Sequence, residues 1–526
     1  MDKIKKVICK KNNIIFTIII LLAILSRCYE FLKVPNGIHQ DEAYALYESW
    51  SLLNFGTDSW GYRYPVYFVS WGSGMNVLLS YITIPFVKIF GLKLLSIRLP
   101  MLLFSILCLV FVYLLGKKVK GEKFALLTLI IVAFSPWHFM ASRWSIESNL
   151  APVFLIISLY FLMKGFENSK FYIISSILFG LTLYSYATIW ILVPLCLICI
   201  FIYLLYNKKI VFDKRIITSI VILFLIALPL LLFLLVNNDL IREVKMPWIS
   251  IPKLLVGREN EISFASLFNG AKQLIKLLIF QVDDRLIDST THFGLYYHFS
   301  IIFIVIGFMS FIRSLVLSIK NRTFSNEAIF CIFILSCLFN ACLIRVIVIV
   351  RVNFIHIPLL FCCANGIYYI YGKIVNINRK KLFLYLLSSI YIVLFILFQV
   401  EYYTETAKSL ERKFNYGATE AIQFANNLDV ERVHIDPELV GKYSILLCAL
   451  KVTPEEFIND SKYFNYPAPY LYMESMGKYQ FYMIDYEYLD SDGAYVLSEG
   501  ENEFRNKGYN IKAFGNYFVA WRKEGL

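Results

Sequence analysis

Two adjacent carboxylates, Asp41 and Glu42, follow the first long apolar run of the chain. Carboxylates are costly to desolvate, so a pair at a membrane edge is typical of a site that handles a proton, a cation or a polar substrate. A plainer role is equally open, because acidic side chains stabilise the first turn of a helix. Adjacent helical residues point about 100° apart, so one carboxylate can cap the helix while the other faces a substrate.

A second polar stretch contains Arg143 and Glu147, whose i and i+4 spacing predicts that they share one face of a helix. The pair can be a local salt bridge, or it can belong to a functional site, since ionisable groups at a membrane edge are candidates for function. Arg345 and Arg351 flank the short turn between two late apolar runs. Their side chains can simply reach water, or they can hold a phosphate through charge-assisted hydrogen bonds.

The composition indicates an integral membrane protein. Of the 526 residues, 58% are hydrophobic and 17% are charged, against about 45–50% and 25% in soluble domains. The net charge of +13 comes from short Lys and Arg clusters between apolar runs, which is the positive-inside pattern of a multi-pass protein, so a nucleic-acid partner is not expected. With these clusters on one side, the apolar runs predict about eleven spans, at residues 13–33, 95–116, 124–140, 151–164, 171–189, 191–206, 216–236, 298–319, 328–346, 353–372 and 382–400.

This threading predicts a transmembrane module over residues 1–400, with outer loops at about 34–94 and 237–297. Residues 74–91 are apolar, but a span there would invert every later basic cluster, so we expect this stretch to lie flat on the outer surface or to re-enter. Residues 43–54 carry apolar side chains at helical spacing, which predicts an interfacial amphipathic helix.

The hydropathy falls after residue 400, and residues 401–526 predict a small extracytoplasmic α/β domain with an acceptor-binding or stabilising role. The predicted elements are a helix at 420–428, strands at 432–436, 481–484 and 494–498, and a hairpin at 509–521 around Gly515-Asn516.

Several motifs follow one another in a recognisable order: Asp41-Glu42, Pro65, Trp71-Gly72, Gly91, Arg98-Leu99-Pro100, Ser135-Pro136, Ser142-Arg143, Glu147, and Arg351 leading to Pro358. Together they resemble the bacterial branch of the dolichyl-phosphate-mannose protein mannosyltransferases, which includes the lipid A aminoarabinose transferases. The resemblance is dense over residues 35–165 and thin afterwards. It implies a GT-C fold and an enzyme that takes a sugar from a polyprenyl-phosphate carrier and inverts its anomeric centre.

The resemblance also implies roles for particular residues. Asp41, with Glu42, would act as base on the acceptor or as a cation ligand, and Glu147 would support it. Many relatives carry Asp at the position of Glu147. The candidates for binding the donor phosphate are Arg63, Arg143, Arg345 and Arg351, and those for holding a divalent cation (Mg, Mn or Zn) are Asp41, His39 and His138.

The expected partners are the polyprenyl-phosphate sugar lipid, the membrane lipids, and an acceptor that is a glycan, a lipid or a protein. The expected location is the bacterial cytoplasmic membrane, with the active site and the C-terminal domain outside. Two other functions are open: a transporter or flippase, and a non-catalytic envelope assembly protein. A transporter would place charged sites near the bilayer midplane in repeated halves, whereas this chain has no internal repeat and its ionisable residues gather at one face.

Overall fold

The computed structural model describes residues 2–209, 213–257, 261–490 and 492–522, with side chains from residue 12 onward. The chain divides into two compact units. Unit 1 comprises Met1–Phe31, Met101–Leu228 and Asn260–Thr404, and unit 2 comprises Leu32–Pro100, Pro229–Glu259 and Glu405–Leu526. The C-terminal region that the sequence sets apart therefore belongs to the same unit as the first predicted outer loop.

The helices follow the apolar runs and the short amphipathic stretches. In chain order they are α1 (Asp2–Cys28), α2 (Gln40–Phe55), α3 (Leu78–Phe90), α4 (Leu94–Lys120), α5 (Glu122–Ala133), α6 (Pro136–Ala141), α7 (Glu147–Gly165), α8 (Lys170–Thr182), α9 (Ile189–Tyr206), α10 (Lys214–Asn237), α11 (Leu267–Phe280), α12 (Ser300–Lys320), α13 (Asn326–Cys342), α14 (Asn353–Lys373), α15 (Ile377–Glu401), α16 (Ala407–Lys413), α17 (Ala418–Asn426), α18 (Ser444–Leu450), α19 (Pro454–Asp460) and α20 (Glu501–Asn506).

The helices confirm a multi-pass membrane protein. Within the described ranges, α4, α7, α9, α10, α12, α14 and α15 are long and apolar enough to cross a bilayer. The part of α1 from Asn12 to Cys28 and the shorter helices α3, α8 and α13 are also apolar. In unit 1, α12 and α14 pack closely through small residues: a Cβ on Gly307 would lie 1.8 Å from the Cys362 carbonyl oxygen. Such small-residue contacts are common between membrane helices. The number of spans stays a prediction.

The first predicted outer loop contains two helices. α3 has 13 residues, a length of about 20 Å, which is too short to span a bilayer. The interfacial position predicted for 43–54 is wrong, because α2 is a core helix of unit 2. Its residues from Glu42 to Ser49 are all buried, and it packs against α3 and α18.

Unit 2 also contains the strands. They are β1 (Val244–Met246), β2 (Ile249–Ile251), β3 (Arg432–Ile435), β4 (Ser461–Tyr463), β5 (Met473–Met476), β6 (Tyr479–Gln480), β7 (Gly493–Leu497), β8 (Asn510–Phe514) and β9 (Tyr517–Trp521). β1 and β2 form a separate antiparallel pair, and the other seven form one sheet in the order β4-β5-β6-β3-β7-β9-β8. β3 is parallel to β6 and β7, and the remaining neighbours are antiparallel.

The predicted small α/β domain is confirmed in most of its elements. The predicted helix is α17, two of the predicted strands are β3 and β7, and the hairpin around Gly515-Asn516 is formed by β8 and β9. The predicted strand at 481–484 is wrong, because residues 481–485 have no regular structure after the two-residue strand β6.

Candidate active site

Asp41 lies in the first turn of α2, in unit 2. His39 caps this helix, with its Nδ1 accepting a hydrogen bond from the Asp41 backbone N–H at 3.2 Å. In return, the Glu42 carboxylate accepts from the His39 backbone N–H at 3.3 Å, which completes a reciprocal cap. The Asp41 side chain is 26% exposed, and its Oδ2 lies 3.5 Å from His39 Nδ1. The helix start is therefore fixed while one carboxylate keeps contact with solvent.

Glu42 forms an ion pair with Arg98, and both side chains are fully buried. Arg98 donates from Nε and from one terminal nitrogen to the two Glu42 carboxylate oxygens, each at 2.9 Å. The same guanidinium donates to the Pro35 carbonyl at 2.7 Å and to the Gly37 carbonyl at 2.9 Å. Glu42 thus holds the loop before α2 in place. The two adjacent acids differ in environment, since Glu42 is fully buried and Asp41 is partly exposed.

The C-terminal region holds the same loop from another side. Gly37 adopts φ +85°, and a Cβ there would lie 2.3 Å from the Phe414 carbonyl oxygen, so only glycine fits this approach. The Asn415 side chain donates to the Ile38 carbonyl at 3.2 Å. The Ser444 hydroxyl of α18 donates to the Gln40 carbonyl at 2.9 Å. Residues 414–444 therefore stabilise the segment that carries Asp41.

A buried acidic cluster in unit 2 was not predicted from the sequence. Glu48 accepts hydrogen bonds from the Ser59 hydroxyl at 2.5 Å and the Ser59 backbone N–H at 3.0 Å. Burial raises the pKa of Glu48 to about 7. Burial, and then the nearby Glu48, raise the pKa of Asp58 well above its usual range. Among the described residues, the Asp58 Oδ2 has no hydrogen-bond partner. The two acids lie ten residues apart with no local sequence pattern that links them, so the cluster is recognised only from their burial in the fold.

In unit 1, Glu147 begins α7 and Arg143 lies in the turn before it. The predicted common helix face is therefore wrong, because the backbone is not helical between the two residues. Arg143 is fully buried and donates to three backbone carbonyls at the end of α1: Arg27 at 2.7 Å, Tyr29 at 2.9 Å and Glu30 at 2.7 Å. These bonds engage both terminal nitrogens, so Arg143 fixes the chain after α1.

His138 lies in α6, also in unit 1, and is 4% exposed. Its Nδ1 is 2.9 Å from a terminal nitrogen of Arg27. A guanidinium at this distance disfavours a second cation. His39 belongs to the other unit, where its Nδ1 accepts the cap bond. Among the described residues, no group of three or more His, Cys, Asp or Glu side chains could hold a metal ion. Asp41 and His39, two of the three expected ligands, lie 3.5 Å apart through Oδ2 and Nδ1, and a cation held by Asp41, His39 and His138 stays a prediction.

A polar network lies at the start of α7, next to Glu147. Asn353 donates to the Asn149 side-chain oxygen at 2.7 Å and to the Ser148 hydroxyl at 3.1 Å, and it accepts from the Trp137 indole at 3.1 Å. Trp137 and Asn149 also line a cavity of about 20 Å³, which is the size of a water site and too small for a sugar.

The late arginines lie around Glu261 in unit 1. The Arg351 guanidinium is 3.5 Å from the Glu261 carboxylate, and the Arg345 backbone N–H donates to the Glu261 carbonyl at 2.9 Å. Gln273 of α11 donates to the Arg345 carbonyl at 2.9 Å. The Arg345 side chain is exposed. Arg63, in unit 2, is also exposed and forms an isolated antiparallel bridge with Thr57.

Apart from Arg63, the predicted residues thus form three groups. Asp41, Glu42 and His39 share the start of α2; Glu147, Arg143 and His138 lie around the start of α7; Arg345 and Arg351 lie around Glu261. The meeting of these groups around one substrate stays a prediction.

Residues 76–251 match the model of the family described as dolichyl-phosphate-mannose-protein mannosyltransferase. Among solved structures, ArnT from Cupriavidus metallidurans in the apo state is 12% identical, with a TM-score of 0.54 over 96% of this chain and 97% of that one. The same protein bound to undecaprenyl phosphate matches with a TM-score of 0.55 and 12% identity over the same shares. The Archaeoglobus fulgidus oligosaccharyltransferase is 12% identical, with a TM-score of 0.47 over 83% of this chain and 63% of that one. A search of curated proteins gave no significant match. At 12% sequence identity, the similarity to ArnT establishes the fold of this chain and nothing finer.

Proposed function

We propose that this chain, of which residues 76–251 match the model of the dolichyl-phosphate-mannose-protein mannosyltransferase family, transfers a sugar from a polyprenyl-phosphate donor to an acceptor, with inversion of the anomeric centre. The fold is that of a GT-C glycosyltransferase. We place the reaction at the outer face of the cytoplasmic membrane, because the basic clusters then lie inside. ArnT has been crystallised with undecaprenyl phosphate, which supports a lipid phosphate as the carrier.

The position of Asp41 is the observation that carries the proposal. Its side chain keeps 26% exposure at a helix start that His39, Glu42 and Arg98 hold rigid. A general base has to reach the acceptor hydroxyl in a fixed geometry. Glu42 cannot serve in this way while both its oxygens bind Arg98. We therefore assign the base to Asp41 and a positioning role to Glu42.

The donor phosphate is assigned to Arg345, with Arg351 beside it. The exposed Arg345 side chain can reach an incoming phosphate, and Arg351 can exchange its 3.5 Å contact with Glu261 for a phosphate oxygen. Arg143 is left out of this role because backbone carbonyls engage it. Arg63, exposed in unit 2, stays a weaker candidate.

The helix next to Arg345 suits the apolar tail of the donor. Along α11, Gly270, Leu274 and Leu277 are buried, and Gly270 packs against the Cys342 carbonyl of α13. The opposite side exposes Phe268 (82%) and Ile275 (57%). An amphipathic helix with an apolar outer face can lie against lipid acyl chains, so a lipid-borne phosphate could approach Arg345 along this face.

The reaction follows from these assignments. The acceptor hydroxyl attacks the anomeric carbon from the face opposite the phosphate, and its proton passes to Asp41. The new bond joins the acceptor oxygen to that carbon, while the bond from the carbon to the phosphate oxygen breaks. The negative charge stays on the polyprenyl phosphate, where Arg345 and Arg351 stabilise it. Phosphate is a good leaving group, so no general acid is needed, and no step is assigned to a metal ion. Glu147, at the start of α7, is the supporting acid in this scheme.

The test is a donor panel. The purified protein is incubated with polyprenyl-phosphate donors carrying different radiolabelled hexoses and pentoses, and the release of labelled sugar is measured. We expect release from at least one donor. Asp41→Asn should abolish this release. Its matched control is Asp239→Asn, which alters an acid of the same unit that is more exposed than Asp41 and should leave release unchanged. A protein that releases no sugar from any donor would count against the proposal.

A further inference from the structure

The face of the sheet around β5 carries aromatic side chains where solvent normally meets polar ones. Successive residues of an extended strand point to opposite faces. Leu471 and Met473 are fully buried on one side, while Tyr472 on the other side is 43% exposed. Glu474 lies where the register between β4 and β5 shifts, and it is half-buried.

Two further aromatic residues extend this face. The Phe464 backbone N–H donates to the Tyr472 carbonyl at 3.0 Å, which places Phe464 opposite Tyr472. The ring of Phe464 meets that of Tyr482 edge-on at 5.7 Å, and the Tyr482 hydroxyl donates to Glu474 at 2.7 Å. Phe464 is 50% and Tyr482 is 40% exposed. We call Phe464, Tyr472, Glu474 and Tyr482 the aromatic face.

The segment that carries the aromatic face is acidic, whereas the whole chain is basic. Residues 454–492 contain eight acidic and two basic residues, although the chain carries a net charge of +13. An acidic surface repels anionic polymers and anionic lipid headgroups. It attracts ammonium groups, and aromatic rings do the same through cation–π contacts. The partner should therefore be uncharged or carry amino groups.

We propose that the aromatic face binds the acceptor as a glycan chain of uncharged or amino-substituted sugars. A pyranose ring has an apolar C–H face that can cover an aromatic ring, and hydroxyl groups around its rim that can bond to Glu474 and to the tyrosine hydroxyls. A peptide would instead add to the sheet edge, but the edge strand β4 has only three residues. The role as acceptor site rests on the proposed function, whereas the binding itself does not.

The test measures binding of hexasaccharide probes to the full-length protein in nanodiscs by isothermal titration calorimetry. The probes are a neutral glucan, an amino-substituted glucosamine oligomer and an anionic galacturonate oligomer. We expect the neutral or the amino oligomer to bind and the anionic one not to bind. Tyr472→Ala and Tyr482→Ala should each weaken binding about tenfold, the range of an interface tyrosine. Tyr488→Ala, which removes a ring that is 82% exposed outside the aromatic face, should leave binding unchanged.

Three results would overturn the inference: no binding of any oligomer, equal binding of the anionic oligomer, or equal loss of binding in Tyr488→Ala. Binding of anionic phospholipid vesicles that Tyr482→Ala abolishes would show that this face contacts a membrane instead. The two proposals fail separately. A protein that binds glycan but releases no sugar from any donor refutes only the proposed function, and one that releases sugar but binds no glycan refutes only this inference.

Discussion

Glu42→Gln should destabilise unit 2 strongly, although the substitution keeps the size of the side chain. It leaves the Arg98 guanidinium, which is fully buried, without its counter-charge. Breaking a buried pair in this way costs about 3–5 kcal/mol, a change of about a hundredfold to several thousandfold in the population of the opened state. Asp41→Asn alters a side chain that is 26% exposed, and the loss of its favourable place at a helix start should cost only about 0.3–1 kcal/mol.

Cys448 offers a local assay for this difference. It is the only cysteine of unit 2, and its thiol donates to the Ala43 carbonyl of α2 at 3.1 Å. Burial raises the pKa of this thiol, so it should react only when α2 and α18 separate. Pulsed alkylation across a denaturant series, followed by mass spectrometry of the Cys448 peptide, gives the opening free energy of each variant. Equal protection of Cys448 in Glu42→Gln and Asp41→Asn would refute the division of roles between the two acids.

Three other substitutions test the surrounding structure. Asp58→Asn should stabilise the protein little near pH 4 and most at pH 8. Burial holds the pKa of Asp58 well above its usual range, so as pH rises the unfolded chain ionises this carboxyl while the folded state keeps the proton, and the wild type loses stability that the variant retains. Thermal melts across this range would contradict us if the gain did not grow with pH. Arg143→Ala should lower the free energy of unfolding by about 3 kcal/mol, because three hydrogen bonds to backbone carbonyls are lost. Arg345→Ala should keep the wild-type melting temperature and raise the KM for the donor. The reverse pattern would make Arg143 the phosphate-binding residue and Arg345 the structural one. Gly37→Ala should lower the opening free energy of unit 2 by about 1–3 kcal/mol, because the added Cβ clashes with the Phe414 carbonyl. Unchanged Cys448 protection in this variant would show that the loop before α2 is not held tightly.

The sequence predicted the features that depend on local pattern. Apolar runs predicted a multi-pass helical protein, and alternation with a Gly-Asn turn predicted the β8–β9 hairpin. The pair Asp41-Glu42 was correctly expected to start a helix, with one acid serving the cap. The sequence did not show which one, because the answer depends on Arg98, 56 residues further along the chain.

Other features depended on tertiary contacts that no local pattern reveals. The helical spacing of Arg143 and Glu147 was misleading, because the Asn149 side chain bonds to the Ala141 carbonyl at 3.1 Å and holds a turn between α6 and α7. The apolar residues of α2 have the pattern of an interfacial helix, but α3 and α18 bury the polar side as well. The coupling of Glu48 and Asp58 follows from burial alone.

Single-turnover transfer of labelled sugar, with wild type beside Asp41→Asn, tests the central claim most directly. A general base contributes about 10²–10⁴ to the rate, so we predict that Asp41→Asn lowers the rate at least a hundredfold, while donor affinity stays unchanged and Cys448 protection falls by no more than about fivefold. A variant that keeps more than a tenth of the wild-type rate would show that Asp41 is not the base.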